Sequence, residues 1–176
     1  YSNHIRIILD LFRTVPHCSA MGTCCTKPDE IHGDKNTPLF TLKGTKIKAK
    51  VVYVYDGDTI HVVFPMYTLT GKKEERRWKC RLSGIDTPEI KTKNEEEKKR
   101  AIAIRDILHA KLFGKTVWIY CDGFDKYGRL LITVYTVGMG KDWVHAGKWC
   151  GTVNYWMLEK GYAYAYHGGK KQSWNV

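Results

Sequence analysis

Apolar and polar residues alternate through the first half of the chain with the two-residue period of a β-strand. Ile47, Ala49, Val51, Tyr53 and Tyr55 alternate with Lys46, Lys48, Lys50, Val52 and Val54, which predicts a long first strand starting near Thr45. Asp56-Gly57-Asp58 reads as a turn, and Ile60, Val62 and Phe64 mark a second strand. The polar stretch 65–75 reads as a hairpin loop, and a third strand is expected over 76–85. Within it Arg81, Ser83 and Ile85 alternate with Leu82, Gly84 and Asp86. Thr87-Pro88 stops that strand, because proline has no N–H and pushes its predecessor into an extended or turn geometry.

The period then changes. Ala101, Ile104, Leu108 and Leu112 recur at steps of three and four and predict one helix with a single buried face. Asn94 is its expected N-cap and Gly114 its expected C′ residue. Glu95, Glu96 and Glu97 fall in the first turn, where the helix dipole favours acid, and read as solvated side chains rather than metal ligands. Strands follow over 116–121 and 130–135, then an inserted loop over 138–152 and a second helix over 153–160, closed by Gly161. Tyr162, Tyr164 and Tyr166 alternate after it. The fold class is therefore α+β: a small, partly open barrel with helices packed on it, matching the strand count of the five-stranded oligonucleotide-binding (OB-fold) barrel. Residues 1–43 read as a flexible N-terminal tail and residues 44–176 as the folded domain.

Charge narrows the partners. A net charge of +11 and a pI near 9.3 point to an anionic partner, nucleic acid first and an anionic membrane surface second. No apolar run approaches the roughly 18 residues of a membrane span. The six cysteines, Cys18, Cys24, Cys25, Cys80, Cys121 and Cys150, form no C-x-x-C pair and fit no zinc spacing. Cys80 and Cys121 fall inside predicted strands and read as packed thiols, which suggests a reducing, cytoplasmic setting. The chain is expected to be a monomer.

Three short stretches carry the chemistry: Asp56-Gly57-Asp58-Thr59, Arg81-Leu82-Ser83-Gly84-Ile85-Asp86-Thr87-Pro88-Glu89 and Asp125-Lys126-Tyr127-Gly128-Arg129. A cation that handles anions beside hard oxygen ligands is what phosphate-ester chemistry needs. Taken singly, several of these features have a plainer reading. The first is a hairpin turn, Asp86-Thr87-Pro88 a strand end, Arg81 a surface ion-pair partner, and the alternating tyrosines half-buried packing.

Together, in this order and spacing, the three stretches resemble the staphylococcal nuclease (thermonuclease) family from about Lys46 to His167. The tail 166–171 is similar to viral and plant-type members. The resemblance implies an OB barrel and a Ca²⁺-dependent endo/exonuclease that cleaves DNA and RNA and leaves 3′-phosphate ends. It implies that Asp58 and Asp86, with the Thr87 carbonyl, bind Ca²⁺, with Asp56 a nearby acid. Arg81 and Arg129 match the phosphate-clamping arginines and Glu89 the catalytic glutamate. Lys126 and Tyr127 match residues of the nucleotide site, and Tyr164 and Tyr166, aligned with a shift, are the candidates for stacking on the terminal base. The chain departs from the bacterial form in the longer loop at 65–75, the insertion at 138–152 and the loss of the last helix after Trp174.

The residues suit that chemistry on their own terms. Asp58 follows the first strand and Asp86 ends the third; neighbouring strands lie about 4.8 Å apart, so two carboxylates can converge on one ion. Two arginines grip phosphate oxygens in a fork that lysine cannot imitate, and such contacts carry no base information. Glu89 is placed to orient or deprotonate water. The alternative is a non-catalytic nucleic-acid or protein-binding module on the same barrel, which would not need all five of Asp58, Arg81, Asp86, Glu89 and Arg129.

One motif lies apart. Met21-Gly22-Thr23-Cys24-Cys25-Thr26 fits N-myristoylation at Gly22, with Cys24 and Cys25 available for S-palmitoylation as the second anchor. On this reading Met21 is the true start, residues 1–20 are upstream read-through, and an acylated N-terminus holds the protein at a membrane surface. An ordinary internal Met-Gly with chance cysteines is the alternative.

Overall fold

The computed structural model describes residues 31–136, 151–169 and 174. Gly22, Cys24 and Cys25, and the expected insertion up to residue 150, lie outside the described residues. The chain divides into two units, Tyr1–Leu39 and Phe40–Val176. In the first, the described residues 31–39 are exposed and hold one turn, in which the Asp34 carbonyl accepts from the Thr37 amide at 3.0 Å. None of the described helices is long and apolar enough to cross a membrane.

The second unit is built on β1 (Lys46–Val54), β2 (Thr59–Tyr67), β3 (Lys73–Leu82), β4 (Ile85–Asp86), α1 (Glu95–Leu112), β5 (Thr116–Phe124), β6 (Leu130–Tyr135), α2 (Val153–Glu159) and β7 (Tyr164–Ala165). Strands β1-β2-β3-β6-β5 close into a barrel, so the sheet is closed rather than partly open. Closure depends on a short parallel pairing of β3 with β6, Cys80 opposite Leu130, Arg81 opposite Leu131 and Leu82 opposite Ile132. Inward residues such as Val51, Ile60, Val62, Phe64, Ile119 and Ile132 fill the core. Alternation places them there, because successive strand side chains point to opposite faces. Cys80 and Cys121 are buried unpaired thiols in that core.

Helix α1 follows its sequence pattern. Ala101, Ile104, Leu108 and Leu112 are buried, the Asn94 side chain accepts from the Glu96 and Glu97 amides, and Gly114 (φ 74°) follows the C-cap. Helix α2 is capped by Thr152, whose hydroxyl oxygen accepts from the Tyr155 amide at 3.0 Å. Thr152 also bridges to Tyr135, so the end of the expected insertion belongs to the helix cap.

Two expectations change. Residues 65–75 are mostly strand: β2 and β3 stay in register out to Tyr67 opposite Lys73, and the turn is confined to 68–72. Pro65 is tolerated because β1 pairing with β2 ends at Val63, leaving that stretch of β2 with one open edge. The third strand also ends sooner, at Leu82. Gly84 (φ 73°) turns the chain, and Ile85 and Asp86 leave the barrel to pair with Ala165 and Tyr164.

Candidate functional site

The site forms at one end of the barrel, where the β1–β2 turn meets the end of β3. The Asp58 carbonyl accepts from the Leu82 amide at 2.8 Å, so the turn is docked on β3 through its backbone. Gly57 makes the approach possible. A Cβ there would stand 2.8 Å from both Ile104 Cγ2 and Thr87 Oγ1, closer than atoms pack, so the turn lies directly against Thr87 and α1.

Arg81 is the hub. Its Nη1 reaches Asp58 Oδ2 at 2.5 Å and its Nη2 reaches Asp86 Oδ1 at 2.6 Å. Nη2 also donates to the Ile85 carbonyl at 3.2 Å. The Ser83–Gly84 turn explains this: it brings Ile85 and Asp86 back towards the strand that carries Arg81. Asp58 and Asp86 are 3% and 1% exposed, and the Arg81 side chain is 12% exposed. Burial pushes the Asp58 carboxyl up to about 7, with Asp56 adding to the rise and Arg81 and the Thr59 hydroxyl opposing it.

The remaining pieces are held by their neighbours. The Tyr164 hydroxyl donates to Asp86 Oδ2 at 2.7 Å, a consequence of the Asp86–Tyr164 register of β4 and β7. Glu89 is exposed, and its amide donates to Glu97 Oε1 at 3.2 Å while the Thr92 hydroxyl donates to Glu97 Oε2 at 2.8 Å. Glu97 is thus a tether for the Glu89 loop rather than a solvated first-turn acid. In the β5–β6 loop, Asp125 Oδ1 accepts from the Tyr127 and Arg129 amides and Oδ2 from Arg129 Nε at 2.7 Å. Burial raises the Asp125 carboxyl, but the hydrogen bonds from Arg129 and Tyr127 outweigh it and leave the group below its ordinary value. Asn154, fully buried on α2, donates to the Ser83 and Ile132 carbonyls and accepts from the Val134 amide, joining the turn after Arg81 to β6.

These parts open on one cleft of about 890 Å³. Asp56, Asp58, Arg81, Thr87, Glu89, Lys126, Tyr127, Arg129 and Tyr166 all line it. Asp86 and Tyr164 stand behind the wall, Asp86 on Arg81 and Tyr164 on Asp86. Tyr166 has the Arg81 guanidinium 6.0 Å from its ring centre. Sequence reasoning missed Glu97, Asn154 and the cleft-lining Tyr55, Lys79 and His167. Strand alternation could have flagged Lys79, two residues before Arg81 on the same face.

A hard cation suits the donor set. Asp58, Asp86 and the Thr87 carbonyl offer only oxygen, and three carboxylates (Asp56, Asp58 and Asp86) surround one guanidinium, a formal excess of two negative charges. Burial is the main cause of the raised Asp58 carboxyl, and the Asp56 charge adds to it. Among the described residues no group of three or more His, Cys, Asp or Glu is disposed to hold a metal, so an ion here needs water and substrate oxygens to complete its shell.

Closed barrel, packed helices and end-on cleft define a small α+β barrel protein of the oligonucleotide-binding type. The family described as staphylococcal nuclease homologue matches residues 79–175, more than half of the 176 residues, and the chain belongs to that family. Membership carries a nuclease-like or nucleic-acid-binding function. The match begins in β3, so the Asp56-Gly57-Asp58 turn lies outside it and is joined to the matched part through the barrel. No curated protein matches the chain.

Proposed function

We propose that the protein is a Ca²⁺-dependent nuclease that hydrolyses phosphodiester bonds of DNA and RNA with little sequence preference and leaves 3′-phosphate ends. The observation that carries this reading is the convergence of Arg81, Arg129 and Glu89 on one cleft, with Asp58 in its wall and Asp86 behind it on Arg81. Asp58, Asp86 and the Thr87 carbonyl would hold the ion, which supplies charge neutralisation and polarisation of a phosphoryl oxygen when bound. Arg81 and Arg129 clamp the phosphate and stabilise the charge that develops in the transition state. To do so Arg81 exchanges a carboxylate for a phosphoryl oxygen, since both its Nη atoms rest on aspartates. Glu89, exposed on its loop, orients or deprotonates the attacking water. Lys126 and Tyr127, which line the cleft, hold the nucleotide. Tyr166 offers its ring to a base, whereas Tyr164 acts by steadying Asp86.

The test is cleavage of single-stranded DNA and RNA in Ca²⁺ and in chelator, with Asp58→Ala and Asp86→Ala alongside. Cleavage in Ca²⁺ alone, lost in both variants, is expected, since a half-emptied hard-ligand site loses its ion. Undiminished cleavage in chelator would overturn the metal reading. Tight binding without cleavage would make the barrel a binding module.

A further inference from the structure

The cleft does not end at Arg81. The outward positions of β1, β2 and β3 run away from it in register. Tyr55, whose amide donates to the Thr59 carbonyl at 2.9 Å, forms the first row with Thr59 and Arg81. The next row is Tyr53, His61 and Lys79, and the one after is Lys50, Val63 and Arg77. The bulge in β1 between Val51 and Tyr53 matters here, because it shifts the alternation so that Tyr53 falls opposite His61. Tyr53 and Tyr55 are 48% and 41% exposed, and Lys50, Arg77 and Lys79 are exposed as well. The Tyr53 and His61 rings lie 5.1 Å apart. No acid occupies an outward position of these rows before Glu75, opposite Pro65.

We propose that this face is a track for single-stranded nucleic acid leading into the cleft, with Tyr53, Tyr55 and His61 stacking on bases and Lys50, Arg77 and Lys79 holding the backbone. Three features favour a single strand over other anionic partners. Aromatic rings interleaved with cations make the surface that stacks exposed bases, and a duplex hides its base faces. Rows separated by two strand residues, about 7 Å apart, repeat on the scale of an extended nucleotide. The track is continuous with the cleft, since Tyr55 and Lys79 line both. Burial, with Arg77 and Lys79 adding to it, lowers the His61 pKa and keeps the ring neutral, which suits stacking.

The inference rests on the nuclease reading only for where the strand terminates, so binding is measured in chelator, without cleavage. Fluorescence anisotropy compares a labelled octanucleotide with a dinucleotide of the same base, for the wild type, Tyr53→Ala/Arg77→Ala and Tyr53→Phe/Arg77→Lys. The wild type should favour the octanucleotide. The alanine pair should lose about tenfold or more of that preference, with the slope of log K against log[salt] shallower by about 0.7 for the lost phosphate contact. The conservative pair, keeping ring and charge, should stay within about threefold of wild type. Thermal melts establish that each variant is folded, and Arg77→Glu alone repeats the test with the ring intact. An unchanged length preference in folded alanine and Arg77→Glu variants would overturn the proposal. So would loss of binding to phosphatidylserine vesicles with octanucleotide affinity intact, which would make the face a lipid surface. A wild type that binds with this preference yet never cleaves in Ca²⁺ would sink the nuclease reading and leave the track standing.

Discussion

At the scale of single residues the site turns on Arg81. One planar fork spans two buried aspartates, and a lysine ammonium at the same place cannot meet both with matching geometry. Arg81→Lys is therefore expected to lower kcat/KM by about 10²-fold or more, read by steady-state cleavage of a labelled oligonucleotide. Near wild-type turnover would show that the fork is structural only. The sequence put Arg81 near both aspartates but not between them. Its position depends on the Ser83–Gly84 turn, and alternation read straight through that turn as strand. Tyr164 shows the same limit: its place in the alternation was legible, but not that its hydroxyl meets Asp86, because that contact depends on the register of β4 against β7. His61 gives a residue-scale prediction about pH. Its folded pKa is lowered from 6.5 by burial and by Arg77 and Lys79, so the unfolded chain takes up the proton first. Stability should fall as pH drops below about 6.5 and level off below the folded pKa. Chemical denaturation between pH 8 and pH 5 should show a shallower acid-side loss for His61→Gln; an identical profile would rule this contribution out.

At the scale of elements, the turn 56–58 and α1 are one assembly. Gly57 has no room for a methyl group between Ile104 and Thr87, so Gly57→Ala must push the turn off both. Overpacking of this kind costs about 1–3 kcal/mol, and the displaced turn carries Asp58 with it. Thermal unfolding should show the loss, together with reduced activity at temperatures where the variant is folded; wild-type stability would mean that the turn yields without cost. Helix α1 was legible throughout, since its cap, its buried face and its terminal glycine follow from local chemistry. The β2–β3 hairpin was not. Residues 73–77 are mostly exposed on both faces, so no apolar alternation marks them as strand, and only pairing across the hairpin holds them extended. The role of Glu97 was hidden for a similar reason: the Glu89 loop had to be in place before the tether could be seen.

At the scale of the molecule, the charge of +11 acts over distance. Neutralised phosphates release counterions, so log K for a single-stranded oligonucleotide should fall against log[salt] with a slope of about −2 or steeper. Affinity that is flat between low and physiological salt would show that the charge is directed elsewhere. The α+β class and the strand count could be read in advance, but closure of the barrel could not. It depends on three parallel residue pairs between β3 and β6, and no local pattern announces a contact between segments so far apart in the chain. Cys80, Arg81 and Leu82 meet Leu130, Leu131 and Ile132 across the intervening helix and β5, a non-local pairing that carries a loop-closure entropy cost. Arg81 sits in it. The strand pair that finishes the barrel thus also carries the guanidinium that bridges Asp58 and Asp86, so closing the barrel and assembling the cleft are one event in space.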